Sequence, residues 1–147
     1  MDSGLPQFGE DDMDRTTETR FVNSFIRKSR RRRLLYELSA PKKRYDAVSR
    51  FCHQAEELLD PAKIVMQGED LERQAGFRTF LREHEGPCLV LTPAFPEGRT
   101  LPLTQAVEEA LIFPDAAVIA GGGFAIVFGE PLPGGRDKYL LAEKERP

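Results

Sequence analysis

The sequence predicts an α+β (or α/β) domain in which an N-terminal helix pair is followed by a βαβαβββ-like mixed sheet of four to five strands. Two observations carry this. Up to about residue 60, apolar residues recur at three- and four-residue intervals; beyond it, short apolar runs bounded by Gly, Pro and Asp alternate with amphipathic stretches. A third sets the scale: 147 residues with 40% apolar and 31% charged side chains suit one domain with a real core.

Residues 1–19 are acidic, carry Gly, Pro and Ser, and lack apolar periodicity, so they read as a flexible tail ahead of a single globular unit over 20–147. Glu10, Asp11, Asp12 and Asp14 in that tail are candidates to fold back onto the basic segment. The globular unit divides into a basic helical segment, 20–60, and a sheet portion, 61–147.

Within 20–60, Phe21, Val22, Phe25 and Ile26 form one apolar patch and Leu34, Leu35 and Leu38 another. At 100° per residue they fall on opposite sides of one straight helix. Either the chain breaks near Ser29, or the helix lies between two surfaces, which makes Phe21 and Phe25 partner-facing and a homodimer through this segment one way to cover them. The next helix, 41–60, buries Tyr45, Val48, Phe51, Cys52, Ala55, Leu58 and Leu59, with Ser39 or Ala40 as N-cap and Pro41 in the first turn.

In the sheet portion, 62–67 and 88–92 read as strands. Residues 70–85 read as a helix capped by Asp70, and 103–113 as an amphipathic helix entered through Pro102. The apolar runs on either side of Gly121, Gly122 and Gly123 read as a hairpin, and 138–143 as an added edge strand. The stretch 92–103 reads as a proline-stiffened loop joining a strand to a helix, the place where open α/β sheets hold ligands; Glu97 and Arg99 flank Gly98 there as candidate binding residues.

Charge is segregated. Residues 1–19 carry −5, 20–50 carry +9 and 51–147 carry −7, within a net charge of −3. The candidate binding residues are therefore Arg30, Arg31, Arg32 and Arg33 with Lys42, Lys43 and Arg44, the last three at the N-terminal end of a helix, where cations oppose the helix dipole and an anion is favoured.

Catalytic and metal chemistries find no pattern. The glycine triplet lacks the spacing of a phosphate-binding loop and precedes a strand. Cys52, His53, His84 and Cys88 do not have zinc-ligand spacing, and no base and orienting acid accompany a nucleophile. The expectation is a nonenzymatic protein without metal or cofactor. Residues 1–14 are the reverse of a signal peptide and no run reaches the ~18–20 apolar residues that span a bilayer, so a cytoplasmic protein with reduced thiols and no membrane contact is expected. Its function is then macromolecular interaction, as a regulator, adaptor or inhibitor that meets an acidic-surfaced protein through the basic helices. The alternative is a nonspecific nucleic-acid binder contacting phosphates through the arginine run.

Overall fold

The computed structural model describes the backbone of residues 5–113 and 115–143, and the side-chain surroundings of 15–50, 53–113 and 115–143. In chain order the elements are α1 (Leu5–Phe25), α2 (Lys28–Ser39), α3 (Pro41–His53), α4 (Ala55–Leu58), β1 (Ile64–Gln67), α5 (Ala75–Glu83), β2 (Pro87–Thr92), β3 (Phe95–Pro102), α6 (Leu103–Ile112), β4 (Ala117–Ala120), β5 (Phe124–Phe128) and β6 (Lys138–Ala142). Short 3-10 turns occupy Pro61–Lys63 and Leu71–Arg73. The architecture is α+β, as the sequence predicts.

The sheet differs from the expectation in two respects. It has six strands in the order β1-β6-β5-β4-β2-β3, and every pairing is antiparallel rather than mixed. The additional strand is β3, inside the stretch that reads as a loop. Its prolines, Pro96 and Pro102, are compatible with an edge strand, where a missing N–H breaks no interior ladder. The β2–β3 turn closes through the Phe95 N–H donating to Thr92 Oγ1 at 3.1 Å. Gly98 has φ +92°, and a Cβ there would lie 2.7 Å from Leu89 Cδ1, so the irregular β2–β3 pairing between Val90 and Thr92 requires glycine beside it. The last strand, β6, is interior, between β1 and β5; β1 and β3 are the edges.

Helices cover both faces of the sheet, which explains why its central strands read as unbroken apolar runs. Val118, Ala120, Ala125, Val127 and Leu141 point to α1–α4, while Ala117, Ile119, Phe124, Ile126 and Leu140 point to α5 and α6. The glycine triplet forms the β4–β5 hairpin turn, with the Gly121 N–H donating to the Phe124 carbonyl.

The divided apolar patches of 20–38 are reconciled by a break two residues before Ser29. After Phe25 the chain leaves the helix: Ile26 forms a β-bridge with Leu59, the Arg27 N–H donates to the Leu58 carbonyl at 2.7 Å, and the Asp60 N–H donates to the Phe25 carbonyl at 2.8 Å. The chain restarts as α2 and turns Leu34 and Leu38 into the same core as Val22 and Ile26. Phe21 and Phe25, expected to face a partner, are 2% and 1% exposed and pack within their own chain with ring centroids 6.0 Å apart. They offer no apolar surface to a second copy.

Three further boundaries move. The helix expected over 41–60 interrupts at Gln54 (φ −120°, ψ 39°), which lets Leu58 and Leu59 reach Ile26. Asp70 caps no helix; a 3-10 turn intervenes, and α5 starts after Gln74. Residues 5–19, read as a tail, belong to α1, whose buried Glu18 is anchored by Arg44. The fold-back of Glu10, Asp11, Asp12 and Asp14 onto the arginine run lies outside the described side chains.

A carboxylate at the end of β6 clasps α1. Glu143 accepts from Arg20 Nε at 2.6 Å, Arg20 Nη2 at 2.8 Å and Ser24 Oγ at 2.8 Å. The Arg20 hydrogen bonds, against a smaller opposing effect of burial, hold the Glu143 carboxyl below the usual glutamate range. A lowered native pKa contributes stability above the unfolded value, and that contribution is lost as pH falls through the native value. The melting temperature of the native chain should therefore exceed that of Glu143→Gln most at neutral pH, and the gap should shrink on acidification to about pH 3. A gap independent of pH would show that the charge of Glu143 contributes nothing.

Candidate interaction surface on the basic helices

Helices α2 and α3 form a hairpin through Ala40, with Pro41 opening α3. Leu34 and Leu38 on α2, with Ala47 and Val48 on α3, face the core. The opposite side of α2 carries Lys28, Arg32 and Tyr36 at four-residue spacing, all exposed. Across the turn Lys42 and Lys43 are exposed as well, and so is Tyr45, which the spacing over 41–60 places in the core; the side chains of Phe51 and Cys52 from that stripe lie outside those described. Tyr36 and Tyr45 are 62% and 55% exposed, large rings left in water beside cations.

The seven basic residues expected to act together separate into two groups. Three are engaged within the chain, and one of them, Arg33, keeps its side chain in solvent. Arg31 Nε donates to the Ile26 carbonyl at 2.8 Å and so closes the end of α1. Arg33 pairs at 3.0 Å with Glu37, a largely buried carboxylate that also takes Arg50. Arg44 is buried: Nη1 and Nη2 grip Glu18 at 2.9 and 2.6 Å, Nη1 also donates to the Leu38 carbonyl, and Nε donates to the Pro96 carbonyl at 2.9 Å. Its hydrogen bonds to Glu18 raise its pKa further, against the opposing effect of burial. Arg44 therefore joins α1, α2, α3 and β3 and is not available to a ligand.

Arg30, Arg32, Lys42 and Lys43 are exposed and have no hydrogen-bond or ion-pair partner among the described residues. Lys28, not singled out from the sequence, is in the same state and extends the patch; its four-residue spacing from Arg32 and Tyr36 is the signal that could have found it. Asp46 is the acidic residue exposed on this stretch of α3, and Glu37 is turned inward. The N-terminus of α3 adds little as an anion site, because the Lys43 and Arg44 N–H groups both donate to the Ala40 carbonyl.

Glu97 and Arg99 are not brought together. Glu97 is exposed on the side of α1 and α3, 3.6 Å from Arg44 Nε and 3.9 Å from Arg15 Nη2. Arg99 pairs with Glu109 of α6 at 2.6 Å and stands over the Phe95 ring at 5.2 Å. The alternation of a regular strand would have put both on one face; the irregularity at Gly98 separates them.

Of the residues weighed for metal or thiol chemistry, His84 stacks on Phe80 with centroids 3.9 Å apart, and its Nδ1 lies 3.0 Å from the Phe80 carbonyl. Cys88 is buried, and burial, with a smaller push from Glu85, raises its thiol to about 11, so little thiolate forms near neutrality. Among the described residues no group of three His, Cys, Asp or Glu side chains converges as a metal site, and no helix is long and apolar enough to cross a membrane. Comparison of the chain with protein-family models, with curated proteins and with solved structures finds no match.

Proposed function

We propose that this protein binds an acidic-surfaced protein partner through the exposed face of α2 and the first turn of α3. The observation that carries the reading is the sorting of the basic run. Arg31 and Arg44 are held by the fold and Arg33 is paired with Glu37 while its side chain stays in solvent, whereas Lys28, Arg30, Arg32, Lys42 and Lys43 stand exposed without side-chain partners among the described residues. Unpaired cations at this density repel one another and oppose the α3 dipole, so an anionic partner relieves an existing electrostatic cost. Tyr36 and Tyr45 supply what charge alone lacks: rigid rings with a hydroxyl, a residue type enriched in the cores of protein interfaces.

Nucleic acid is the second reading, favoured by those same two rings, on which unpaired bases can stack between cations. Against it stand a net charge of −3 and a patch of few cations, which limit the counterion release that drives binding to a polyanion.

The test is fluorescence anisotropy with two labelled probes, a Glu/Asp-rich peptide containing apolar residues and a single-stranded oligonucleotide, across a salt series. Peptide binding that survives moderate salt, and that falls by about tenfold or more in Arg32→Glu with Lys42→Glu, is expected. Oligonucleotide binding with a steep salt slope, without peptide binding, would replace the first reading by the second. Binding of neither, or binding unchanged in the double variant, would remove this face from the function.

A further inference from the structure

At the other end of α3, roughly 16 Å along the helix from Lys42 at 1.5 Å per residue, the chain has a cleft of opposite character. It has a volume of about 490 Å³ and lies between the α3–α4 junction and the β5–β6 connection. Five carboxylates line it: Glu56, Glu57, Glu69, Glu130 and Asp137. Glu130 faces His53, 3.3 Å from its Nδ1, and Asp115 lies 3.6 Å from Nε2 on the other side of the ring. Glu56, Glu57, Glu69 and Asp137 have no ion-pair partner among the described residues.

The nearby cations are engaged by backbone carbonyls or by Glu72 and, among the described residues, form no ion pair with the cleft carboxylates. Arg136 donates to the carbonyls of Gly129, Ala110 and Asp115 at 2.6–2.8 Å, which fixes the base of the β5–β6 connection. Lys138 donates to the Glu69 carbonyl and to Glu72. Arg27 donates to the carbonyls of Leu59 and Glu56. The C-terminal end of α3 adds the negative pole of a helix dipole.

A second feature is independent of the acids. Tyr139 of β6 lines the cleft, is only 7% exposed, and its hydroxyl has no hydrogen-bond partner among the described residues. A buried hydroxyl without a partner carries a desolvation cost of order 1–3 kcal/mol unless something fills the place. Burial first, then the charges of Asp137 and Glu56, push its pKa up, so the hydroxyl keeps its proton and offers both a donor and an acceptor.

We propose that this cleft binds an extended organic cation with two or more primary ammonium groups, the chemistry of linear aliphatic polyamines. The spread of the carboxylates decides against a single metal ion, since no three of the described donors converge. A chain of methylenes between charges matches both features: the ammonium groups meet separated carboxylates and the Tyr139 oxygen, and the methylenes lie along Leu132, which is 61% exposed at the rim. The volume suits such a molecule and is small for a folded partner.

Titration calorimetry of the full chain with spermidine, butylamine and magnesium at equal ionic strength tests this. Saturable one-to-one binding of spermidine is expected, at least about tenfold tighter than butylamine, and weakened by about tenfold or more in Glu57→Gln with Glu69→Gln. Tyr139→Phe, which keeps the ring, should weaken binding several-fold while the melting temperature of the free chain is maintained or raised, and Arg32→Glu on the other face should leave binding unchanged. Magnesium displacing spermidine as effectively as spermidine binds, or affinity unaffected by the double Gln variant, would show a diffuse counterion effect and overturn the site.

Discussion

Arg44→Ala is expected to destabilise the protein by about 3–5 kcal/mol, because it leaves the Glu18 carboxylate buried without its counter-charge. The side chains of the pair are 4% and 7% exposed, and solvent cannot replace either partner without opening the α1–α3 contact. The loss extends beyond the ion pair, since Arg44 also satisfies the Leu38 and Pro96 carbonyls. Urea denaturation of Arg44→Ala, Glu18→Ala and the double variant checks the assignment. The two single losses should be strongly non-additive, because once one partner is gone the other is a liability. Additive losses, or a cost below about 1 kcal/mol for Arg44→Ala, would mean that the pair behaves as a surface salt bridge. Circular dichroism should also show loss of helix from α1 in Arg44→Ala, as this guanidinium is what ties that helix to α3 and β3.

Phe25→Ala should cost about 3–5 kcal/mol, the range for removing a fully buried phenyl ring. Phe25 lies where α1 ends, beside Phe21, and its carbonyl takes the Asp60 N–H, so ring and backbone together join the first helix to the start of the sheet portion. The measurement that separates an intrachain core from an interface is the denaturation midpoint across a wide range of protein concentration. An intrachain ring gives the same destabilisation at every concentration, whereas a ring buried against a second chain gives one that depends on concentration. Concentration dependence in the native chain, abolished by Phe25→Ala, would restore the partner-facing role that the fold denies it.

These two residues show how far local sequence carries. Phe25 and Leu34 have clear helical periodicity, yet periodicity specifies only the azimuth on a straight helix; the break at Ile26 and Arg27 is set by a bridge to Leu59, far along the chain. Arg44 sits in an apparent run of exposed cations, and its burial is fixed by Glu18 and the Pro96 carbonyl, neither of them a sequence neighbour. The strand β3 was hidden by its own prolines, which are tolerated only because the strand lies at the edge. The acids of the cleft are spread from Glu56 to Asp137, so no single stretch of sequence brings them together.

By itself the sequence determined the α+β class, the helical character of the basic segment and the start of α3 at Pro41, the helix α6 and the β4–β5 hairpin. Each of these rests on interactions between residues a few positions apart, which composition and spacing record directly. Tertiary structure alone decided which cations remain free, which aromatic rings are core, the antiparallel order of the sheet and the assembly of the acidic cleft. Those depend on contacts between distant segments, where one buried counter-charge or one β-bridge outweighs local preference, and no local pattern encodes them.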